Sequence, residues 1–327
     1  MRPIAILCAA AALAAGDTVA HGDDLEPPGE PVAELHQVTS DPGIDAMPSW
    51  TPDGRHIVFH ARRPAEKASL LPTRKIWIAD RDGKNARKLS DGPADEYHPV
   101  VSPDGTKIVF VSEANGSRDV WMMDADGKNA LPLTDDPGLE EHPCWSADGK
   151  QIAYVALPKD GGNFDLWVMN ADGSGKRKLT TTAANEVFPA WQPSGRVIAF
   201  GTDLNGNFDI YGLSMADDKT FPIVSGPANE TRPAWSPDGT KLAFTRWPAE
   251  GRSTEATLWV ANADGSVPTE LSIPAPAAHP AWAPDGATLA FQRLGDGSWN
   301  LWTARLPDPV VREGRLRLAR QVRGRAD

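Results

Sequence analysis

The sequence predicts an all-β fold, a six-bladed β-propeller of four-stranded blades closed by an N-terminal strand, on three observations. A phrase of the form Pro-x-Trp-x-Pro-Asp-Gly is written six times, with local variation. The closing glycines, Gly54, Gly105, Gly149, Gly195, Gly239 and Gly286, lie 51, 44, 46, 44 and 47 residues apart. A second phrase built on a central aromatic follows each copy, from Ile76-Trp77-Ile78 to Leu301-Trp302-Thr303. That period is the one expected of a four-stranded propeller blade and is too long for most helical repeats.

Met1 to Ala20 combines one basic residue, an apolar run from Ile4 to Ala15 and small residues up to Ala20. This is the pattern of a cleaved secretory signal, and it is too short to span a membrane. Its removal takes Cys8 and leaves Cys144 as the single cysteine, so no intrachain disulfide is expected. Residues 21–35 are acidic and Pro-rich, the composition of a linker. His36-Gln37-Val38-Thr39 then aligns with Leu131-Pro132-Leu133-Thr134, the last strand of the second repeat. The N-terminus thus offers a fourth strand to the last repeat, Pro280 to Arg305, which has only three; such closure hides the edges of an open array.

Within each repeat, proline opens the first strand where no ladder bond is lost, and Asp-Gly supplies the turn into an alternating run such as Ile57-Val58-Phe59. The aromatic phrase is the third strand. A second Asp-Gly turn, at Asp82-Gly83, Asp126-Gly127, Asp172-Gly173 and Asp264-Gly265, leads to a short fourth strand. Ten of the twelve tryptophans occupy these two repeat positions, so they are expected to pack blade on blade. Trp247 and Trp299 fall outside them and are expected to matter for binding rather than stability. Repeat four lacks the second Asp-Gly, which predicts a looser outer hairpin. Repeats one and five carry insertions after Ala61 and Thr245. Residues 307–327 form a basic tail with six Arg.

The chain resembles the TolB-type propeller family, whose WD40-like repeat has the hallmark Pro-x-Trp-Ser-Pro-Asp-Gly-x-x-Ile-Ala-Phe. The fifth copy here is Pro233-Ala234-Trp235-Ser236-Pro237-Asp238-Gly239-Thr240-Lys241-Leu242-Ala243-Phe244. The resemblance covers residues 36–306, and implies a propeller and a binding role at the cell envelope. TolB carries an α/β domain ahead of its propeller, for which this chain has no room.

A net charge of −11, with the basic tail set apart from an acidic body, argues against nucleic acid or an anionic membrane surface as partner. The sequence contains no Gly-x-Ser-x-Gly elbow, no His-Glu-x-x-His, no phosphate loop and no Cys-x-x-Cys. What recurs is the lead-in to each first strand. An acid stands three residues before the proline at Asp45, Glu96, Glu140, Glu186 and Glu230. Directly before it stand Met47, His98, His142, Phe188, Arg232 and His279. The first strand lines a propeller's channel, so these residues are expected to ring one mouth and bind a partner there.

The histidines and glutamates could suit a divalent metal, but as a recurring strand lead-in they fit a structural ring better. No catalytic residue, metal site or cofactor is therefore expected. The expected protein is a periplasmic or secreted monomer that binds an envelope protein or lipoprotein, without membrane insertion and in a Tol-Pal-type or translocation-associated role. The alternative is a metal-dependent carbohydrate lyase resembling oligogalacturonate lyase, or a propeller accessory to a peptidase.

Overall fold

The computed structural model describes residues 30–32, 34–63, 73–251, 255–274 and 276–307. The apolar leader, the basic tail and most of the first insertion lie outside the described residues, as do Arg252 and Ser253 of the second. Two short strands come first, β1 (Glu30–Pro31) and β2 (Glu34–Gln37), so the end of the segment expected to be linker is strand. Repeat one contributes β3 (Ile44–Trp50), β4 (His56–Arg62), β5 (Arg74–Asp80) and β6 (Arg87–Lys88). Repeat two gives β7 (Glu96–Val101), β8 (Lys107–Ser112), β9 (Asp119–Asp124) and β10 (Leu131–Pro132). Repeat three gives β11 (Leu139–Trp145), β12 (Gln151–Leu157), β13 (Asp165–Asn170) and β14 (Arg177–Lys178). Repeat four gives β15 (Glu186–Trp191), β16 (Val197–Thr202), β17 (Asp209–Ser214) and β18 (Thr220–Val224). Repeat five gives β19 (Asn229–Trp235), β20 (Lys241–Trp247), β21 (Thr257–Asn262) and β22 (Thr269–Ser272). The last gives β23 (Ala277–Trp282), β24 (Thr288–Gly295) and β25 (Ser298–Arg305). Each set is an antiparallel meander, and the whole is an all-β propeller.

The strands do not sort into six separate four-stranded blades. Among the described residues they form five sheets: three of four strands, one of five and one of eight. The five-stranded sheet arises because β1 runs parallel to β22. The eight-stranded sheet joins repeats six and one, because the β24–β25 hairpin is eight residues per strand and its far end reaches β3 at Trp299 and Ile44. Comparable contacts link other neighbouring repeats, for example Glu186 N–H to Phe164 C=O at 2.8 Å, but outside the third strand. The N-terminal strand β2 pairs antiparallel with β25, the third strand of the last repeat, within this large sheet. Thr39 Oγ1 accepts from Leu301 N–H at 2.9 Å, the bond that Ser90, Thr134 and Thr180 make in repeats one to three.

The core lies between successive sheets. Trp191, Ile198 and Phe200 of repeat four, for instance, pack on Val155, Leu166 and Val168 of repeat three. Each first-strand tryptophan is 7–9% exposed. Four of them also stitch repeats together through the indole N–H: Trp145 to Val100 C=O at 3.1 Å, Trp235 to Ala190 at 3.1 Å, Trp282 to Ala234 at 3.0 Å and Trp50 to Ala281 at 3.2 Å. Cys144 serves the same seam. Its Sγ accepts from Trp191 N–H at 3.2 Å, as Ser49 Oγ does from Val101 N–H at 3.1 Å, and burial pushes the thiol up to about 11. It is a packed acceptor, not a nucleophile.

The second Asp-Gly turn is a point of close approach. A Cβ on Gly265, which has φ +80°, would lie 1.6 Å from the Ile223 carbonyl oxygen of the preceding repeat, so only glycine fits. Two expectations change here. Repeat four, expected to have the looser outer hairpin, has the longest of the fourth strands, because Thr220–Val224 continues the ladder without that turn. Trp247 is not peripheral: it ends β20 paired with Asn229 and is buried against Ala256 and Ala278.

Candidate functional site: a cup in the channel

Every first strand breaks register at the same place. The slips fall between Ala46 and Ser49, Tyr97 and Val100, Glu141 and Cys144, Val187 and Ala190, Thr231 and Ala234, and Ala278 and Ala281. The proline within each slip has no N–H to give the ladder, so an interruption there loses little. The residue before it turns left-handed: Met47, His98, His142, Phe188, Arg232 and His279 have φ between 53 and 58°. For a side chain other than glycine that conformation costs roughly 1–2 kcal/mol. It persists at six equivalent positions because the bulge re-aims the side chain.

These side chains converge across the channel. The rings of His98 and His142 lie 4.6 Å apart, those of His142 and Phe188 3.9 Å, and those of Phe188 and His279 6.1 Å. Arg232 Nε donates to His279 Nε2 at 2.6 Å, and its guanidinium lies 4.6 Å from the Phe188 ring centre. Since Arg232 can only donate, His279 carries its own proton on Nδ1. From this ring a cavity of about 530 Å³ runs to Pro52, Pro237 and Pro284 at the first Asp-Gly turns and to Pro193 at the equivalent Ser194-Gly195 turn. The strand prolines and four tryptophans make its wall, so it is a cup with an apolar side and a polar floor.

Burial sets the protonation of that floor. It holds His98 and His279 well below the usual imidazole range and brings His142 down to about 3, with Arg232 adding repulsion at His142 and His279. The imidazoles are therefore neutral near pH 7. His98 is 5% exposed, and neither ring nitrogen has a hydrogen-bond partner. Nδ1 of His142 is likewise unpartnered.

The structure thus brings His98, His142, Arg232 and His279 together with Met47 and Phe188. It places the acids elsewhere. Asp45, Glu96, Glu140, Glu186 and Glu230 do not line the cavity. Asp45 bonds Arg63 at 3.1 Å, Glu96 pairs with Lys75 at 3.2 Å, and Glu230 meets Arg246 at 3.2 Å. Glu186 accepts from Thr180 Oγ1 at 3.0 Å and Thr182 Oγ1 at 2.5 Å. Burial raises Asp45 to about 6, Glu186 and Glu230 to about 7, and Glu140, which also feels Asp119 and Asp136, to about 8. Sequence reasoning missed the cup's wall and the partners Arg63, Lys75 and Arg246. The wall had a signal in the six repeated prolines; the partners are not repeated and had none.

Comparison with known proteins places this geometry in context. A structure of TolB from Acinetobacter baumannii is similar at TM-score 0.63 and 19% identity, covering 80% of this chain and 63% of that one. An oligogalacturonate lyase from Vibrio parahaemolyticus is similar at TM-score 0.56 and 13% identity, over 84% and 94% of the two chains. At such identity the likeness is one of fold. Among curated proteins, dipeptidyl-peptidase 5 of Porphyromonas gingivalis is 31% identical over 67 residues, 20% of this chain and 10% of that protein. An uncharacterized protein of Agrobacterium fabrum is 32% identical over 76 residues, 23% of this chain and 24% of that protein. The matches therefore span a quarter or less of these relatives' own length. The model of the TolB beta propeller domain matches residues 65–303, and the chain belongs to that family.

Proposed function

We propose that this chain is a binding module of the cell envelope, periplasmic or secreted, which takes an envelope protein or lipoprotein at the channel cup. The observation that carries the reading is the set of six left-handed residues directed into one cavity. Strained backbone conformations cluster at functional sites, and here six of them meet at one cavity. The apolar wall favours burial of a partner's apolar side chains, and the TolB-like fold supports a protein as partner. A monomer leaves the cup open for it.

The lyase alternative asks for a metal, and one similar structure is an oligogalacturonate lyase in complex with manganese. The donors here do not fit one. A metal needs imidazole lone pairs that converge on one point. The His98 and His142 rings instead stack with 31° between planes, and His279 Nε2 is taken by Arg232. Among the described residues no group of three His, Cys, Asp or Glu could hold a metal.

The test is capture from envelope extract by the wild type and by a variant with Pro193→Trp and Pro284→Trp, exposed lining residues whose replacement narrows the cup at its rim. Loss of the captured partner by a variant with a wild-type melting profile is the expected result. Undiminished capture by that folded variant rejects the cup as the binding site.

A further inference from the structure

The cup opens on the face where each first strand turns into the second, and its rim is apolar and exposed. Pro52, Pro193, Pro237 and Pro284 line the cavity and are exposed there. The turns that carry them abut around the opening, Gly54 beside Pro284, Gly105 beside Pro52 and Gly239 beside Pro193. Five of the six turns add an exposed aspartate, Asp53, Asp104, Asp148, Asp238 and Asp285, against the three cations Arg55, Lys150 and Arg196, so the rim is acidic by two charges. Hydrogen bonds from Ser146 Oγ at 2.7 Å and Lys150 N–H at 3.1 Å hold the Asp148 carboxyl below its usual range. Between repeats two and three a second cavity, of about 590 Å³, carries the acids outward. Asp104, Asp148 and Asp172 line it beside Met122 and Trp145, and its lysine, Lys107, is held by Asp124 at 2.5 Å.

An apolar opening fringed with carboxylates fits a segment that alternates apolar and cationic side chains. This chain contains one. Residues 308–327 hold six Arg against Asp308, Glu313 and Asp327, a balance of +3 in a protein of −11, and Arg315-Leu316-Arg317-Leu318 alternates the two kinds. The described residues lead to the same rim. Leu306 is buried, and its N–H donates to Ala287 C=O at 2.8 Å, in the turn that carries Pro284 and Asp285. The twenty residues after Pro307 can span up to about 66–72 Å when extended, more than twice the reach of the longest strands here, which have eight residues. Tethering raises the local concentration of such a segment to about millimolar, which favours it over the same segment of a second copy.

We propose that residues 308–327 dock over the cup mouth of their own chain, with Leu316 and Leu318 on the rim prolines and the arginines on the turn aspartates. The inference goes beyond the reading of the cup as a partner site, because a partner would enter by displacing this segment.

Photo-cross-linking of the full chain tests it, with benzoylphenylalanine in place of Leu316 and, separately, of Leu318. The expected product is a link within one chain to the turns that carry Pro52, Pro193, Pro237 or Pro284, mapped by mass spectrometry. Arg315→Glu with Arg317→Glu and Arg320→Glu should cut its yield about tenfold, because exposed ion pairs contribute modestly one by one and three are reversed together. Asp104→Asn with Asp148→Asn and Asp285→Asn should also lower it, since Asn keeps the Oδ1 acceptor that the turn uses and loses the charge. Should that variant fail to fold, the parent chain decides: its yield should fall in about 1 M salt, which screens exposed charges. A link to any other part of the propeller, a link between two chains, no link, or a yield indifferent to charge and salt overturns the proposal. If Pro193→Trp with Pro284→Trp still abolishes capture from extract in that event, the binding-module reading stands and only the docked segment is wrong. A mapped link with undiminished capture by that variant keeps the docking and rejects the binding-module reading instead.

Discussion

Two rows of side chains on the first strands of the repeats meet opposite fates. The acids at Asp45, Glu96, Glu140, Glu186 and Glu230 are absorbed into the framework, while the residues two positions later face the channel. In a regular strand residues i and i+2 share a face. Here the later residue sits at the left-handed step of a bulge, and that step separates the two rows. The acids thus belong to the framework, and the proposed binding role falls to the ring alone. Identical spacing from a proline does not make residues partners in one site.

That division can be tested from its framework side first. Trp235→Ala removes a buried aromatic and its bond to Ala190, and should lower unfolding free energy by about 3–5 kcal/mol in a denaturant titration. Against a typical domain stability of about 5–15 kcal/mol this is a large loss. A loss below about 1 kcal/mol would mean that the repeats do not depend on their tryptophan seams.

In the acid row, Glu230→Ala leaves Arg246 without its carboxylate. Arg246 is 26% exposed and can reach water, so the expected loss is about 1–3 kcal/mol, with partner capture kept by the folded fraction. Capture lost without any loss of stability would return the acids to the binding site.

The pH dependence sharpens the contrast, because the rows titrate with opposite sign. Glu140, Glu186 and Glu230 are raised to between about 7 and 8 in the fold, so the folded state binds more protons than the unfolded one above the ordinary carboxyl range. Their contribution is present below about 4.5 and declines as pH rises to about 8. His142, brought down to about 3, does the reverse: its contribution is complete above about 6.5 and declines as pH falls towards 3. Melting temperature should therefore peak between these arms. Glu140→Gln should flatten the alkaline arm and His142→Phe the acid arm; a single substitution that altered both arms would refute separate rows.

The smallest effect on the fold is expected in the ring. Met47→Gly relieves the left-handed strain while removing a half-buried side chain, and the two changes should cancel to within about 1 kcal/mol. Binding should weaken by more than stability does. Destabilisation beyond about 2 kcal/mol would show that Met47 holds repeats together.

The sequence by itself determined the all-β class, the repeat, the turns and the packing role of the tryptophans, because these are local patterns: proline and Asp-Gly punctuation, period-two alternation and a fixed aromatic position. It also picked out His98, His142, Arg232 and His279 as a set. Only the tertiary structure decided how the sheets join and which way the set faces. The merging of repeats six and one depends on a hairpin one or two residues longer per strand meeting β3 across the chain's ends. The separation of acids from ring depends on a bulge whose backbone angle is not encoded in the identity of Met47 or His98 alone. It follows from packing every first strand around one axis, where an unbroken ladder would leave the pre-proline side chains directed elsewhere.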